Sequence, residues 1–205
     1  EINGEGTTGM TLAAGATINV DASEVTEMLD DETAGRLTIS DQAITVTGEI
    51  TVDTANLLEA TTSGVITASI TTSETVDELQ TLTGTGNAYT IVIANGDATG
   101  STAAEYNSIN GKTTVAVNLT NVTALAGSSL ADLGTLATAI GNNEFSNDTG
   151  ITTIAVTDTT IDATTLLARI DSYDTINGVS GTTDMTLASG ATINLDASEI
   201  TDLSL

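Results

Sequence analysis

Residues 7–29 read TTGMTLAAGATINVDASEVTEML, and residues 182–203 read TTDMTLASGATINLDASEITDL. The second stretch copies the first at an offset of 175: Met10 matches Met185, Asn19 matches Asn194, Asp21 matches Asp196 and Ser23 matches Ser198. The preceding Ile2-Asn3-Gly4 matches Ile176-Asn177-Gly178 at an offset of 174, one position out of frame. Repetition of this kind is the signature of a tandem array. The expected organisation is a single elongated solenoid segment over 1–205, in which about 1–175 is one period and 176–205 opens the next. A chain that begins at Glu1, with neither a basic leader nor an apolar signal core, is expected to be a mature product or a piece of something longer.

Inside the period runs a shorter, looser rhythm. Apolar–small polar–apolar triplets recur at Leu37-Thr38-Ile39, Ile44-Thr45-Val46, Ile91-Val92-Ile93, Val115-Ala116-Val117, Ile154-Ala155-Val156 and Ile193-Asn194-Leu195. Alternation of period two predicts short strands with one face inward. After them come stretches with helical spacing: Leu57 and Leu58; Val76, Leu79 and Leu82; Leu130, Leu133 and Leu136; Leu166, Leu167 and Ile170. The Asp residues of Val20-Asp21-Ala22, Val52-Asp53-Thr54, Ile161-Asp162-Ala163 and Leu195-Asp196-Ala197 stand where helix N-caps are wanted, so Asp21, Asp53, Asp162 and Asp196 are predicted caps. Asp21 with Glu24, and Asp196 with Glu199, have capping-box spacing. Glycines precede the next strand at positions 15, 35, 64, 86, 111, 150 and 190, where a left-handed residue ends a helix at little cost.

Strand, cap, one or two helical turns, glycine, strand describes one coil. Dividing the offset of 175 among seven such coils makes each one about 25 positions long. A parallel pair needs a crossover of about a dozen residues or more, and that crossover is right-handed in nearly every case. The predicted fold is a repeat solenoid: a right-handed β-solenoid with one short parallel strand and a short helix per coil, of the leucine-rich-repeat-like α/β kind. A plain right-handed parallel β-helix is the alternative. The absence of Pro fits a continuous backbone ladder, and the core is expected to be aliphatic because aromatics make up only 2%. Residues 118–150 are longer than one coil and are expected to carry an enlarged helix and a protruding loop.

Composition excludes whole classes of function. Lys+Arg is 3 against Asp+Glu 28, a formal net charge of -25, so no phosphate backbone can be neutralised and nucleic acid is excluded as a partner. Anionic membranes are excluded by the same repulsion, and no apolar run is long enough to be inserted. The chain has neither Cys nor His, which removes zinc fingers, thiol nucleophiles, haem histidines and disulfide staples. Mean hydropathy is +0.17 and about a fifth of the residues are Thr, which separates the chain from acidic disordered sequences.

Segments such as VTGEITVDTANLLEATTSGVITASI (46–70), LTGTGNAYTIVI (82–93) and GKTTVAVNLTNVTALAG (111–127) resemble repeats in giant secreted bacterial surface proteins. Such repeats are best known from marine cyanobacteria, where they often accompany haemolysin-type calcium-binding modules. The resemblance covers most of the chain and lies in composition and cadence. It implies an extracellular, cell-surface location and a structural or adhesive role. The calcium nonapeptide of those modules is represented only by the fragment Asn95-Gly96-Asp97-Ala98-Thr99-Gly100.

The abundant carboxylates are the only candidate chemistry. Calcium takes six to eight oxygen ligands, and the loop holding Asn142, Asn143, Glu144, Asn147 and Asp148 is the main candidate. Asp30-Asp31-Glu32 and the pair Asp171 and Asp174 are others. Diffuse screening by counterions is the competing use of these acids. A paired-carboxylate glycosidase is a further alternative, and it wants aromatic platforms from Tyr89, Tyr106, Phe145 or Tyr173. Three triplets, at Asn118, Asn121 and Asn147, fit the N-glycosylation pattern. Outward Thr ladders of the ice-binding type are broken, since Thr45-Val46-Thr47 has no counterpart at 91–93 or 154–156. The function that follows is a structural segment of a long acidic extracellular repeat protein that forms a filament, fibre or surface layer. It would join end to end with copies of itself or continue within a giant chain. A passive spacer in a calcium-dependent adhesin is the runner-up, and no catalytic residue is expected.

Overall fold

The computed structural model describes residues 9–93, 100–178, 181 and 183–196. The chain is mixed α/β, with several small parallel sheets, six helices among the described residues and no closed barrel. It forms two compact units. One is built from Glu1–Glu74, Thr81–Ile91 and Lys112–Val115, the other from Thr75–Gln80, Val92–Gly111 and Ala116–Leu205.

In the first unit, β1 (Met10–Thr11) pairs with β3 (Leu37–Thr38). A four-stranded sheet runs in the order β2 (Thr17–Asp21), β4 (Ala43–Ile50), β5 (Ile66–Ile70), β6 (Ala88–Thr90). Helix α1 (Val25–Thr33) follows β2, and α2 (Val52–Thr61) follows β4. Register is set by aliphatic ladders: Ile18 faces Ile44, Ile44 faces Ile66, and Ile50 faces Ile70. Slipping by one residue would turn every one of these side chains to the wrong face. Ile44 and Ile66 are fully buried, with Ala55 and Leu58 of α2 in the same core.

The second unit holds α3 (Val76–Gln80), α4 (Ala103–Asn110), α5 (Leu130–Gly141) and α6 (Ala163–Asn177). Its strands are β7 (Val117–Asn118) with β9 (Phe145–Ser146), β8 (Ala124–Ser128) with β10 (Thr153–Val156) with β12 (Asp184–Thr186), and β11 (Thr160–Asp162) with β13 (Thr192–Asn194). Every strand pair among the described residues is parallel. The partners range in sequence separation from Glu49 facing Ser69, at the close end, to Thr160 facing Thr192, at the far end. Strand therefore alternates with helix at close to the expected spacing, but the spacing is elastic.

Several expectations are corrected. Triplet 91–93 forms no strand: β6 lies three residues earlier, and Val92 makes only an isolated bridge to Asn118. Residues 118–150 hold no protruding loop, because Phe145 is buried and β9 returns to pair with β7. Asn143 and Asn147, with φ of 61° and 55°, make the bends on either side of it. The core is not purely aliphatic. Tyr89, Tyr106 and Tyr173 are fully buried and Phe145 is 4% exposed, so each of the four aromatics anchors packing and none offers a ring to a sugar. Leu57, expected on the buried face of its helix, is 58% exposed beside the buried Leu58.

Glycine also acts in a second way. Gly64 and Gly150 lack the left-handed conformation their positions suggest. They are pressed against the preceding strand–helix repeat instead. A Cβ on Gly64 would lie 2.3 Å from the carbonyl oxygen of Gln42, and one on Gly150 would lie 2.9 Å from that of Val122.

Candidate functional site

The acidic loop follows α5. Asn142 caps that helix, its N–H bonding to carbonyls of Thr138, Ala139 and Ile140. Its side-chain NH2 donates to Glu144 at 3.3 Å, and the Asn110 side chain donates to the other oxygen of the same carboxylate. Asn147 turns elsewhere and donates 3.2 Å to the Asn118 side-chain oxygen. The five residues are thus split: Asn142 and Glu144 come together and recruit Asn110, while Asn147 joins a different partner. Both amides donate through their nitrogens in these bonds, and the Glu144 carboxylate is held by two of the donors. Among the described residues no three acidic side chains are grouped to hold a metal ion. The fragment at 95–99 lies outside the described residues.

Two of the other candidate acids are engaged elsewhere. Asp31 pairs with Arg36, whose Nε donates at 2.8 Å. Asp174 accepts from the backbone N–H groups of Gly181 and Thr183, at 2.6 and 3.0 Å, tying α6 to the segment that enters β12. Arg169 lies over Gly134, where a Cβ would come within 2.8 Å of the guanidinium carbon; its buried Nε has no partner. With Thr135, Thr138 and Glu144 it lines an open hollow of about 490 Å³.

The predicted caps divide. Asp162 is the N-cap of α6 and accepts from the Thr165 N–H and hydroxyl, both at 2.8 Å; these bonds hold its carboxyl below the usual carboxylate range. Asp21 is not the cap of α1. Its carboxylate accepts from the Ser23 N–H and hydroxyl, which lowers its pKa, while Glu24 stands at the cap position without a side-chain bond. Asp53 is not a cap either. It is the second residue of α2, and Thr51 accepts from the Thr54 N–H. The helix expected after Asp196 lies outside the described residues. The triplets at Asn121 and Asn147 spend their amide nitrogens on bonds between repeats, Asn121 to the Ile93 carbonyl at 2.9 Å.

A further set of residues escaped the sequence reading. Helices α2, α4 and α5 each receive a second acceptor at their first N–H from the following repeat. Glu74 accepts from Val52 at 3.1 Å, the Ser128 hydroxyl from Ala103 at 2.9 Å, and Asp158 from Leu130 at 2.8 Å. Their own caps are Thr51, Thr102 and Ser129, with Thr102 and Glu105 forming a full capping box. Each helix start is thus satisfied from two repeats at once. The boxes Thr102-x-x-Glu105 and Ser129-x-x-Asp132 were legible as spacing; the acceptors from the next repeat have no local signature.

The repeated motif folds alike in both copies. Met10–Thr11 and Asp184–Thr186 are strands, as are Thr17–Asp21 and Thr192–Asn194. Gly15 and Gly190 both have positive φ, and Ala16 and Ala191 make equivalent turn bonds to Ala13 and Ala188. In each copy the strands have a neighbour on one edge only among the described residues. The inward side chains Ile18, Val20, Met185 and Ile193 are accordingly only half-buried, whereas Ile44, Ile154 and Ile161 beside them are closed off. No helix among the described residues is long and apolar enough to cross a membrane. No known protein family matches the chain, and neither the curated proteins nor the solved structures compared with it give a significant match.

Proposed function

We infer that this chain is a structural segment of a long, acidic extracellular repeat protein, which builds a cell-surface filament, fibre or layer. The strand–helix repeats wind as a right-handed solenoid, and successive periods continue one into the next. The observation that carries this reading is the copied motif, which folds into the same pair of short strands, with a half-buried Ile at Ile18 and again at Ile193, in Met10–Asp21 and in Asp184–Asn194. Side-chain bonds between consecutive repeats supply the lateral stitching that a stack of near-equivalent rungs needs. A charge of -25 keeps neighbouring filaments apart at low salt. Cations act on them as a cloud, without a dedicated cage. Electron micrographs of the native source should show thin filaments that antibodies to this chain decorate outside the cell. Discrete globular particles, or label confined to the interior, would overturn the reading. Calcium and sodium chloride at equal ionic strength should shift the melting temperature alike; a calcium-specific rise would restore a bound-ion role.

A further inference from the structure

Arg169 on α6 makes no ion pair among the described residues, in a chain with 28 Asp and Glu, and its Nε is buried without a partner. The guanidinium is nevertheless fixed in place. A Cβ on Gly134 of α5 would lie 2.8, 3.0 and 3.1 Å from its carbon, one terminal nitrogen and Nε. Those near-equal distances lay the face of the guanidinium on the helix, so its N–H edges are not engaged there. Gly is a poor helix former, and Gly134 stands in the interior of α5; what it provides is the seat. Glu144 lines the same hollow of about 490 Å³. The Asn110 and Asn142 side chains each donate to one of its oxygens, which holds the carboxylate away from Arg169. Thr135 and Thr138 also line the hollow. They direct their hydroxyl hydrogens to the carbonyls of Ala131 and Gly134, at 3.3 and 2.8 Å, which leaves their oxygens as acceptors. A fixed cation and a fixed anion thus share one hollow without meeting.

We propose that this hollow binds a free amino acid as its zwitterion, the carboxylate on Arg169 and the ammonium on Glu144 and the hydroxyl oxygens of Thr135 and Thr138. A guanidinium offers a planar fork that matches a carboxylate through two parallel N–H bonds. An ammonium has three donors and no acceptor, and acceptors are what Glu144 and the two threonines present. Net charge selects among ligands. The chain carries -25, so a simple anion is repelled by the field of the whole protein. A simple cation finds carboxylates all over the surface and has no reason to prefer this one. A zwitterion is net neutral and needs both charges where the hollow holds them. The small side chains of Ala131 and Ala139 in the wall leave room for an aliphatic side chain. The site is independent of the filament reading and needs one chain only.

Free L-leucine is the probe, compared with isocaproate, which lacks the ammonium, and L-leucinamide, which lacks the carboxylate. In NMR titrations L-leucine should move the amide signals of Thr135, Thr138, Glu144 and Arg169 saturably, with a dissociation constant on the order of millimolar. Each analogue should bind about tenfold more weakly or worse. Arg169→Gln should abolish the response to L-leucine. Glu144→Gln should weaken L-leucine and tighten isocaproate, because the lone anion no longer meets a carboxylate. Gly134→Ala separates binding from folding. Alanine favours the helix, so the melting temperature should hold or rise, while affinity for L-leucine falls severalfold as the new Cβ lifts the guanidinium off its seat. The proposal is wrong if L-leucine shows no saturation at tens of millimolar, if either analogue matches it, or if Arg169→Gln binds it as the unaltered chain does. An unchanged affinity in Gly134→Ala would overturn it equally.

Discussion

At the scale of single residues, the buried phenols and the exposed caps respond to opposite ends of the pH range. Burial, with the Glu59 charge beside Tyr89, pushes the Tyr89 phenol far above its usual value; burial does the same to Tyr173. The folded chain keeps these groups protonated, so their contribution is complete below the unfolded value of about 10 and is lost as pH rises beyond it. Phenolate absorbance at alkaline pH should appear together with loss of circular dichroism, not ahead of it. The Tyr89 hydroxyl is buried without a partner, whereas that of Tyr173 donates to the Leu133 carbonyl at 3.3 Å. Tyr89→Phe should leave the melting temperature unchanged or higher, and Tyr173→Phe should cost about 1 kcal/mol. Asp162 works in the other direction. Its lowered carboxyl stabilises above the unfolded value of about 3.9 and ceases to as pH falls through the folded one. The melting difference between the unaltered chain and Asp162→Ala should therefore shrink in acid. Asp162 was readable from spacing, because the acceptor, the helix start and the β-branched partner Thr165 all lie within one helical turn. Asp21 and Asp53 share that spacing, but the Asp21 carboxylate is taken up by the N–H and hydroxyl of Ser23, ahead of the helix start, and at α2 the Thr51 hydroxyl accepts the capping bond instead of Asp53.

At the scale of elements, the strand–helix alternation was legible because Ile and Val recur with period two and Leu with helical spacing. The exact strands were less so. At 88–93 Tyr89, Ile91 and Ile93 are all buried, so the alternation does not say which part of it pairs, and the ladder with β5 takes 88–90. The N-terminal acceptors from the following repeat were illegible, since each lies a whole repeat away from the N–H it serves and nothing in the adjoining sequence announces it. They give a direct test of the alternation. Ser129→Ala, a cap within its own repeat, should cost about 1 kcal/mol. Asp158→Ala should destabilise α5 from the next repeat along, and thermal unfolding of the double variant should reveal coupling, since both side chains serve one helix start. Leu133→Ala, at a fully buried site on α5, should cost about 2–5 kcal/mol by chemical denaturation.

At the scale of the whole molecule, the duplicated motif was the clearest statement in the sequence, and its two copies fold alike, each with two short strands joined through a glycine of positive φ. Gly64→Ala tests how tightly consecutive repeats are pressed together: with the Gln42 carbonyl 2.3 Å from the new Cβ, the melting temperature should fall sharply, while the same change at the open Gly141 should be mild. The uneven reach of the crossovers, short between Glu49 and Ser69 and long between Thr160 and Thr192, shows where such a protein has room to change. Inward aliphatics hold the pairing, so α5 and α6 lengthen to 12 and 15 residues while β10 and β12 stay in register and the β8–β10 ladder takes up one irregularity between Ile154 and Val156. The helices are consequently places where new sequence can be grafted, turn by turn, between strands that keep their parallel pairing.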